Sequence, residues 1–382
     1  WSGPPQTWRP PPSWQASSEV GTRSAEEPTE SSEEAEEAAE GPSEETSEQE
    51  ELYEELEAGE TVENAAVAEA QTEVAAKKKR KRKKHKIQPK EEPPQEVERA
   101  SPGRTVIGVD SGGWSGSTFS DLSKGGIDYI RTSSASSSYV EREAHAAGVQ
   151  IATIIFGEGG SIGSISPSAY AAEVRSYFAK YGLDGGMTVE VLNEPGNDVF
   201  WRDPSDYTAY AKLAQAVHEA LATLPAASRP VELCSWDGGE ASPDADKPWG
   251  QGIKAAGALP YCEGVTVHPY GGHTGGDGGA LGGRKDVELA HTESGKPVYV
   301  TEIGWPTAVG QPPTGDSQQW TEAQQAANIT GFMQWASATG YVPMVIYFNF
   351  VDYGTNDFYG IETKERKHKL GFAALAEASA RW

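Results

Sequence analysis

The stretch Thr188 to Leu224 reads TVEVLNEPGNDVFWRDPSDYTAYAKLAQAVHEALATL and contains one complete structural unit: a strand, a polar tip and a helix. Its first five residues are a short, largely apolar run, rich in β-branched side chains and closed by Asn, Pro and Gly, which predicts a strand over Thr188–Leu192. Further on, Asp203 reads as an N-cap with Pro204 at the first helical position. Tyr207, Tyr210, Leu213, Val217, Leu221 and Leu224 then recur at steps of three and four, the stripe of a helix packed on one side.

Outward from this unit the same alternation repeats. Strand-like runs fall at 105–109, 127–131, 149–156, 231–235, 264–268, 297–301 and 343–350, eight with the one above. Helical patterns cover 138–147, 167–181, 204–224, 248–256, 285–291, 321–339 and 370–380, while the first connection, 121–124, is weakly helical. Eight such units, with runs apolar enough to be covered on both faces, predict an α/β fold of the (β/α)8 TIM barrel type. The alternative is a doubly wound sheet. It would want a Gly-rich phosphate loop after the first strand, and GVDSGGWSG at 108–116 is interrupted by the bulky Trp114.

The barrel accounts for residues 104–382 only. Residues 1–103 contain no Phe, Met or Asp, eight Val, Ile or Leu, and four aromatic residues, too little apolar surface to offset chain entropy. This segment, with its Glu-rich tract and the basic run KKKRKRKKHK at 77–86, is predicted to be disordered. It carries 13 basic and 25 acidic residues, and the remainder 19 and 32, so both parts are acidic. The basic run lacks the interleaved aromatic residues of a single-strand binder, so no nucleic-acid partner is expected. No run of the chain is long and apolar enough to span a bilayer.

In a barrel, chemistry gathers where strands end. The predicted ends carry Asp110 and Trp114, Arg131, Glu158, Asn193 and Glu194, Trp236 and Asp237, His268 and Tyr270, Glu302 and Trp305, and finally Phe348, Asn349, Phe350 and Asp352. Paired carboxylates in an aromatic-walled cleft suit cleavage of a glycosidic bond, where one group protonates the leaving oxygen and the other meets an oxocarbenium-like carbon. No pair of His and carboxylate has metal-ligand spacing on one element, so neither metal nor cofactor is expected.

The segments VEVLNEPGND (189–198), VTVHPYG (265–271) and YVTEIGWPT (299–307) together resemble the strand-four, strand-six and strand-seven motifs of clan A retaining glycoside hydrolases, both cellulase-like and plant β-1,3-glucanase-like. The likeness covers about residues 104–380. It implies that Glu194 is the general acid/base and Glu302, 108 residues on, the nucleophile. It also implies that Asn193 holds the sugar 2-hydroxyl, that Arg131 keeps Glu302 ionised, and that His268 and Tyr270 line the same subsite. The strand-eight platform, usually Trp in this clan, would be Phe348 or Phe350; Trp114, Trp236 and Trp305 are further faces for stacking, as is Trp201. The resemblance predicts a monomeric, endo-acting glycosidase of β-linked polysaccharide, β-glucan foremost, acting outside the cell or at its surface. The chain has no initial Met and no visible signal segment, which reads as a processed or truncated product.

Blander roles stand beside these. Arg131 could neutralise Asp110 within the barrel, Glu158 reads as solvated, and Trp320 and Trp335 as core. A carbohydrate-binding barrel without turnover and a polyanion binder acting through 77–86 are the rival functions. Cys234 late in strand five and Cys262 before strand six would sit about 13 Å apart along parallel strands, so free thiols are expected.

Overall fold

The computed structural model describes residues 104–111, 113–236, 246–270, 280–307, 320–353 and 358–382. The expectations for residues 1–103, and for Asp237, lie outside the described residues.

Eight parallel strands close into a barrel in sequence order: β1 Val106–Val109, β2 Tyr129–Ser133, β3 Gln150–Phe156, β4 Thr188–Val191, β5 Val231–Ser235, β6 Gly264–Val267, β7 Val298–Ile303 and β8 Met344–Tyr347. Closure is the pairing of β8 with β1, in register from Val106 with Met344 to Val109 with Tyr347. Helices follow the strands: α1 Gly116–Gly125, α2 Ser137–Ala147, α3 Pro167–Tyr181, α4 Tyr207–Leu221, α5 Asp246–Ala255, α6 Ala280–Ser294, α7 Glu322–Thr339 and α8 Leu370–Arg381. None of the described helices is long and apolar enough to cross a membrane.

Side-chain alternation sorts the strands into two environments. Ile107 and Val109, Val189 and Val191, Val265 and Val267, Val298 and Val300 face outward and join the helices in one large apolar cluster. A separate small cluster of Val106, Ala152, Met344 and Ile346, with Tyr129, Met187 and Tyr299 against it, plugs the lower barrel interior. The interior above that plug is polar.

Three local expectations are revised. The weak first connection is a full helix, α1, capped by the Ser115 side chain on the Thr118 N–H and ended by Gly126 in the left-handed region. Helix α4 starts one turn later than predicted, because Asp206 rather than Asp203 accepts the N–H of Ala209. Asp203 instead ties the loop after β3, accepting from the backbone of Ile162 and Gly163 and from Ser161. The third concerns the cysteines, which form a disulfide with their Cα atoms 5.6 Å apart. The free-thiol expectation assumed that Cys262 continues β6 downward. In fact β6 begins only at Gly264, and Cys262 caps the 3-10 turn Leu259–Tyr261, which carries it sideways to Cys234.

Candidate active site

Strand β4 ends in a strained turn. Leu192 (φ 63°) and Glu194 (φ 42°) both occupy the left-handed region, which costs energy for side chains of their size. Hydrogen bonds hold the turn: the Trp201 indole N–H donates to the Asn193 carbonyl at 2.8 Å, and Asn197 closes on Glu194 with its backbone N–H at 2.9 Å and its side-chain amide on Oε2 at 2.8 Å. Such strain, fixed by neighbours, marks a position whose side chain must point one way.

On β7 an irregularity does similar work. Strict alternation would send Thr301 inward and Glu302 outward. The register against β8 instead jumps from Val300 with Val345 to Ile303 with Tyr347, so two residues oppose the single Ile346 and both turn inward. Thr301 Oγ1 reaches His268 at 3.1 Å, and Glu302 reaches Arg131 and Tyr270. Gly304 lets this tip crowd β8, since a Cβ there would lie 2.0 Å from the Phe348 carbonyl oxygen.

Arg131 is the hub, 2% exposed. Its Nη1 donates to Asp110 at 2.6 Å and Glu302 at 2.5 Å, its Nη2 to Asn193 at 2.8 Å and Glu190 at 3.2 Å, and its Nε to Glu190 at 3.3 Å. All five guanidinium N–H groups are thereby used. The proposed neutralisation of Asp110 and the proposed contact with Glu302 are both realised by one side chain. Glu302 Oε2 also accepts from the Tyr270 hydroxyl at 2.6 Å. Across the cleft His268 Nδ1 shares a proton with Glu194 Oε1 at 2.7 Å and lies 3.7 Å from Glu302. Oxygens of Glu194 and Glu302 and a His268 nitrogen all fall within 4.8 Å of one another.

These contacts set the charges. Burial pushes the Asp110 carboxyl up to about 6, against the pull of Arg131. Burial would also raise Glu190, but the Arg131 charge, the nearby His268 ring and the hydrogen bond from Thr266 outweigh it and hold that group at about 2. Burial alone would lower His268; the Glu302 charge, the Glu190 carboxylate 3.7 Å away and the hydrogen bond to Glu194 instead push the ring well above the usual imidazole range.

Sequence reasoning named Asp110, Arg131, Asn193, Glu194, His268, Tyr270 and Glu302, and the structure brings all seven together. It missed Glu190, fully buried in the middle of β4. The available signal was a lone carboxylate in an otherwise apolar strand run, four residues before Glu194.

The aromatic expectations divide. Trp305 (1% exposed) packs on Phe332 and Tyr347, and Phe350 (0%) on Phe372 of α8, so neither offers a face to a ligand. Trp236 is buried against α5, where a Cβ on Gly250 would meet its ring at 2.3 Å. Trp201 is likewise buried, serving the β4 turn. Their apolar rings fill the space between strand tips and helices, which loop position in a sequence does not reveal. Trp114, stacked on Phe119, and Phe348, edge-on to Tyr270, remain half-buried and can present a face. Glu158 is exposed, as expected.

Glu194, His268 and Glu302 are close enough to bracket a cation, but the donors do not fit one. Both His268 nitrogens and both Glu302 oxygens already have hydrogen-bond partners, and the Arg131 guanidinium on Glu302 Oε1 would repel a second cation beside it.

No protein-family model matches the chain, and no curated protein does. Solved structures do match. One is a family 39 glycoside hydrolase from the gut symbiont Bacteroides cellulosilyticus, with TM-score 0.53, 17% identity and coverage of 73% of this chain and 64% of that one. A fungal β-1,4-galactanase aligns with TM-score 0.53 at 15% identity over 71% of this chain and 94% of the other. A family 128 endo-β-1,3-glucanase from Amycolatopsis mediterranei, in complex with laminaripentaose, gives TM-score 0.50 at 14% identity over 72% and 100%. This chain thus spans just under two thirds of the first of these. At such identities the likeness establishes the barrel fold.

Proposed function

We propose that residues 104–382 are a retaining glycoside hydrolase that cleaves β-linked polysaccharide by double displacement, with Glu302 as nucleophile and Glu194 as general acid/base. The observation that carries this reading is the carboxylate pair at one barrel end, their oxygens within 4.8 Å and each held by its own set of donors. That approach favours direct attack on the anomeric carbon; an inverting pair stands ~6.5–9.5 Å apart to admit a water.

In the first step a Glu302 oxygen bonds to the anomeric carbon while Glu194 delivers its proton to the departing glycosidic oxygen, and the carbon–oxygen bond breaks. Arg131 and the Tyr270 hydroxyl orient the nucleophile and steady its charge. In the second step Glu194, now a carboxylate, removes a proton from water as it attacks the glycosyl ester, freeing Glu302. His268 donates to Glu194 and supports it in that ionised phase. Asn193 Oδ1 is taken by Arg131, which leaves its amide N–H2 to donate to the sugar 2-hydroxyl.

The substrate favoured is a β-glucan, attacked internally by a monomeric enzyme, with Trp114 and Phe348 as stacking surfaces. Action outside the cell or at its surface agrees with the buried Cys234–Cys262 disulfide, a feature of oxidising compartments. The test is a panel of β-1,3-, β-1,4- and β-1,6-linked glucans and a β-1,4-galactan incubated with the full chain. New reducing ends should appear with at least one. Binding without release would favour a non-catalytic carbohydrate-binding barrel, and inertness toward all would refute the assignment.

A further inference from the structure

An ionised carboxylate with no exposure is costly unless its lone pairs are filled, and Glu190 is such a group, 0% exposed on the cleft floor. Its Oε2 accepts two bonds from Arg131, through Nε at 3.3 Å and Nη2 at 3.2 Å. Its Oε1 accepts from Thr266 at 2.9 Å and Thr301 at 3.3 Å, and faces His268 Nε2 at 3.7 Å. Glu190 is thus tied directly to the cation beneath Glu302 and to the ring beneath Glu194.

We propose that Glu190 is a positioning residue for both carboxylates, its buried carboxylate holding the Arg131 fork under Glu302 and the His268 ring under Glu194. The proposal rests on the functional reading above. Two of the five Arg131 N–H groups bind Glu190, and a fork held at one edge presents its remaining donors in a set direction. Without that edge the guanidinium can rotate toward Asp110, taking its donor off Glu302. On the other side the ring is surrounded by Glu190 and Glu194 from β4 and its tip and by Thr301 and Glu302 from β7. Arg131 of β2 and Asp110 at the tip of β1 lie behind Glu302, and Tyr270 stands on the tip of the ring's own strand. Removing the Glu190 charge takes away one of the negative charges facing the ring, which favours its neutral form. A neutral ring can accept at Nδ1, and it would then draw the Glu194 proton toward itself instead of leaving it for the departing oxygen.

Two variants of the full chain separate charge from shape. Glu190→Gln keeps the volume and loses the charge; Glu190→Asp keeps the charge and shortens the reach. The first measurement is the side-chain nitrogen NMR shift of His268 against pH, which does not depend on turnover. Glu190→Gln should release the His268 proton about one pH unit or more below the parent, whereas Glu190→Asp should release it near the parent value. The second is kcat and KM against pH on a cleaved glucan. Glu190→Gln should lose about 10²-fold in kcat with KM within about threefold, its alkaline limb moved downward, and Glu190→Asp should lose kcat with the limb in place. An unchanged His268 titration in Glu190→Gln, with any lost activity matched by lost folded protein, would make Glu190 a structural residue and overturn the proposal. If the parent itself cleaves no glycan, the functional reading falls on its own, and the NMR titration still decides whether Glu190 holds the ring's proton.

Discussion

The lower and upper halves of the barrel interior are built from the same strands and obey opposite rules. Below, Val106, Ala152, Met344 and Ile346 form a dry plug in which side chains alternate as strand geometry dictates. Above, Asp110, Arg131, Glu190, Glu194, His268 and Glu302 crowd together, and the backbone departs from the ideal where they are presented, by positive φ at Leu192 and Glu194 and by the extra residue in β7. The plug is stabilised by burial alone. The upper layer persists because the Arg131 guanidinium and the His268 ring link four carboxyl groups through a connected set of hydrogen bonds.

That contrast can be broken from either side. The largest effect on folding should come from Arg131→Met, which leaves Asp110, Glu190 and Glu302 without their shared cation. Denaturant titration should show a loss of about 3–5 kcal/mol together with loss of turnover. A loss below about 1 kcal/mol would mean that the upper layer does not depend on Arg131. Next, Met344→Ala opens a cavity in the plug and should cost about 2–4 kcal/mol while kcat per folded molecule stays within about twofold. A large fall in kcat would show the two halves to be coupled.

A smaller effect tests whether buried charge elsewhere behaves like the upper layer. Glu232 on β5 faces the helices, and burial, then the Glu263 charge, pushes its carboxyl up to about 9. Its neighbour His218, 3.3 Å away, is half in solvent and does not reverse this. A carboxyl raised in the folded state keeps its proton there after the unfolded chain has lost it. Its contribution is therefore complete below about pH 4.5 and fades as pH rises toward 9. The denaturation midpoint of Glu232→Gln should fall less steeply than the parent's across that window, and parallel curves would contradict the shift.

The eight strands and the barrel they close were legible in the sequence because apolar runs of five to eight residues, repeated with helical stripes between them, leave few alternatives. The NEP tip and the second Glu were legible as residues just past strand runs, and the roles expected of them came from the resemblance of the motifs around them. Three things were not. Glu302 faces inward only through a β7 irregularity that no residue announces. Asp203 and Asp206 are equally good caps in sequence, and the loop after β3 decides which is used. The fate of Trp236, Trp305 and Phe350 depends on how closely helices approach the strand tips, a tertiary distance without a local signature. The disulfide failed for a related reason, since a turn before β6 redirects Cys262 sideways.

The central claim, that Glu302 attacks while Glu194 donates and accepts the proton, is tested most directly by azide rescue of Glu302→Ala and Glu194→Ala on an activated β-aryl glycoside, with the anomer of the product read by proton NMR. Glu302→Ala should be almost inactive until azide fills the vacated space and gives the α-glycosyl azide, an inverted product. Glu194→Ala should still form the glycosyl ester from the good leaving group, and azide should intercept it as the β-glycosyl azide, with configuration retained. Hydrolysis of a β-glucan by both variants within about tenfold of the parent, a barrier change below ~1.4 kcal/mol, or the same azide anomer from both, would contradict the assignment.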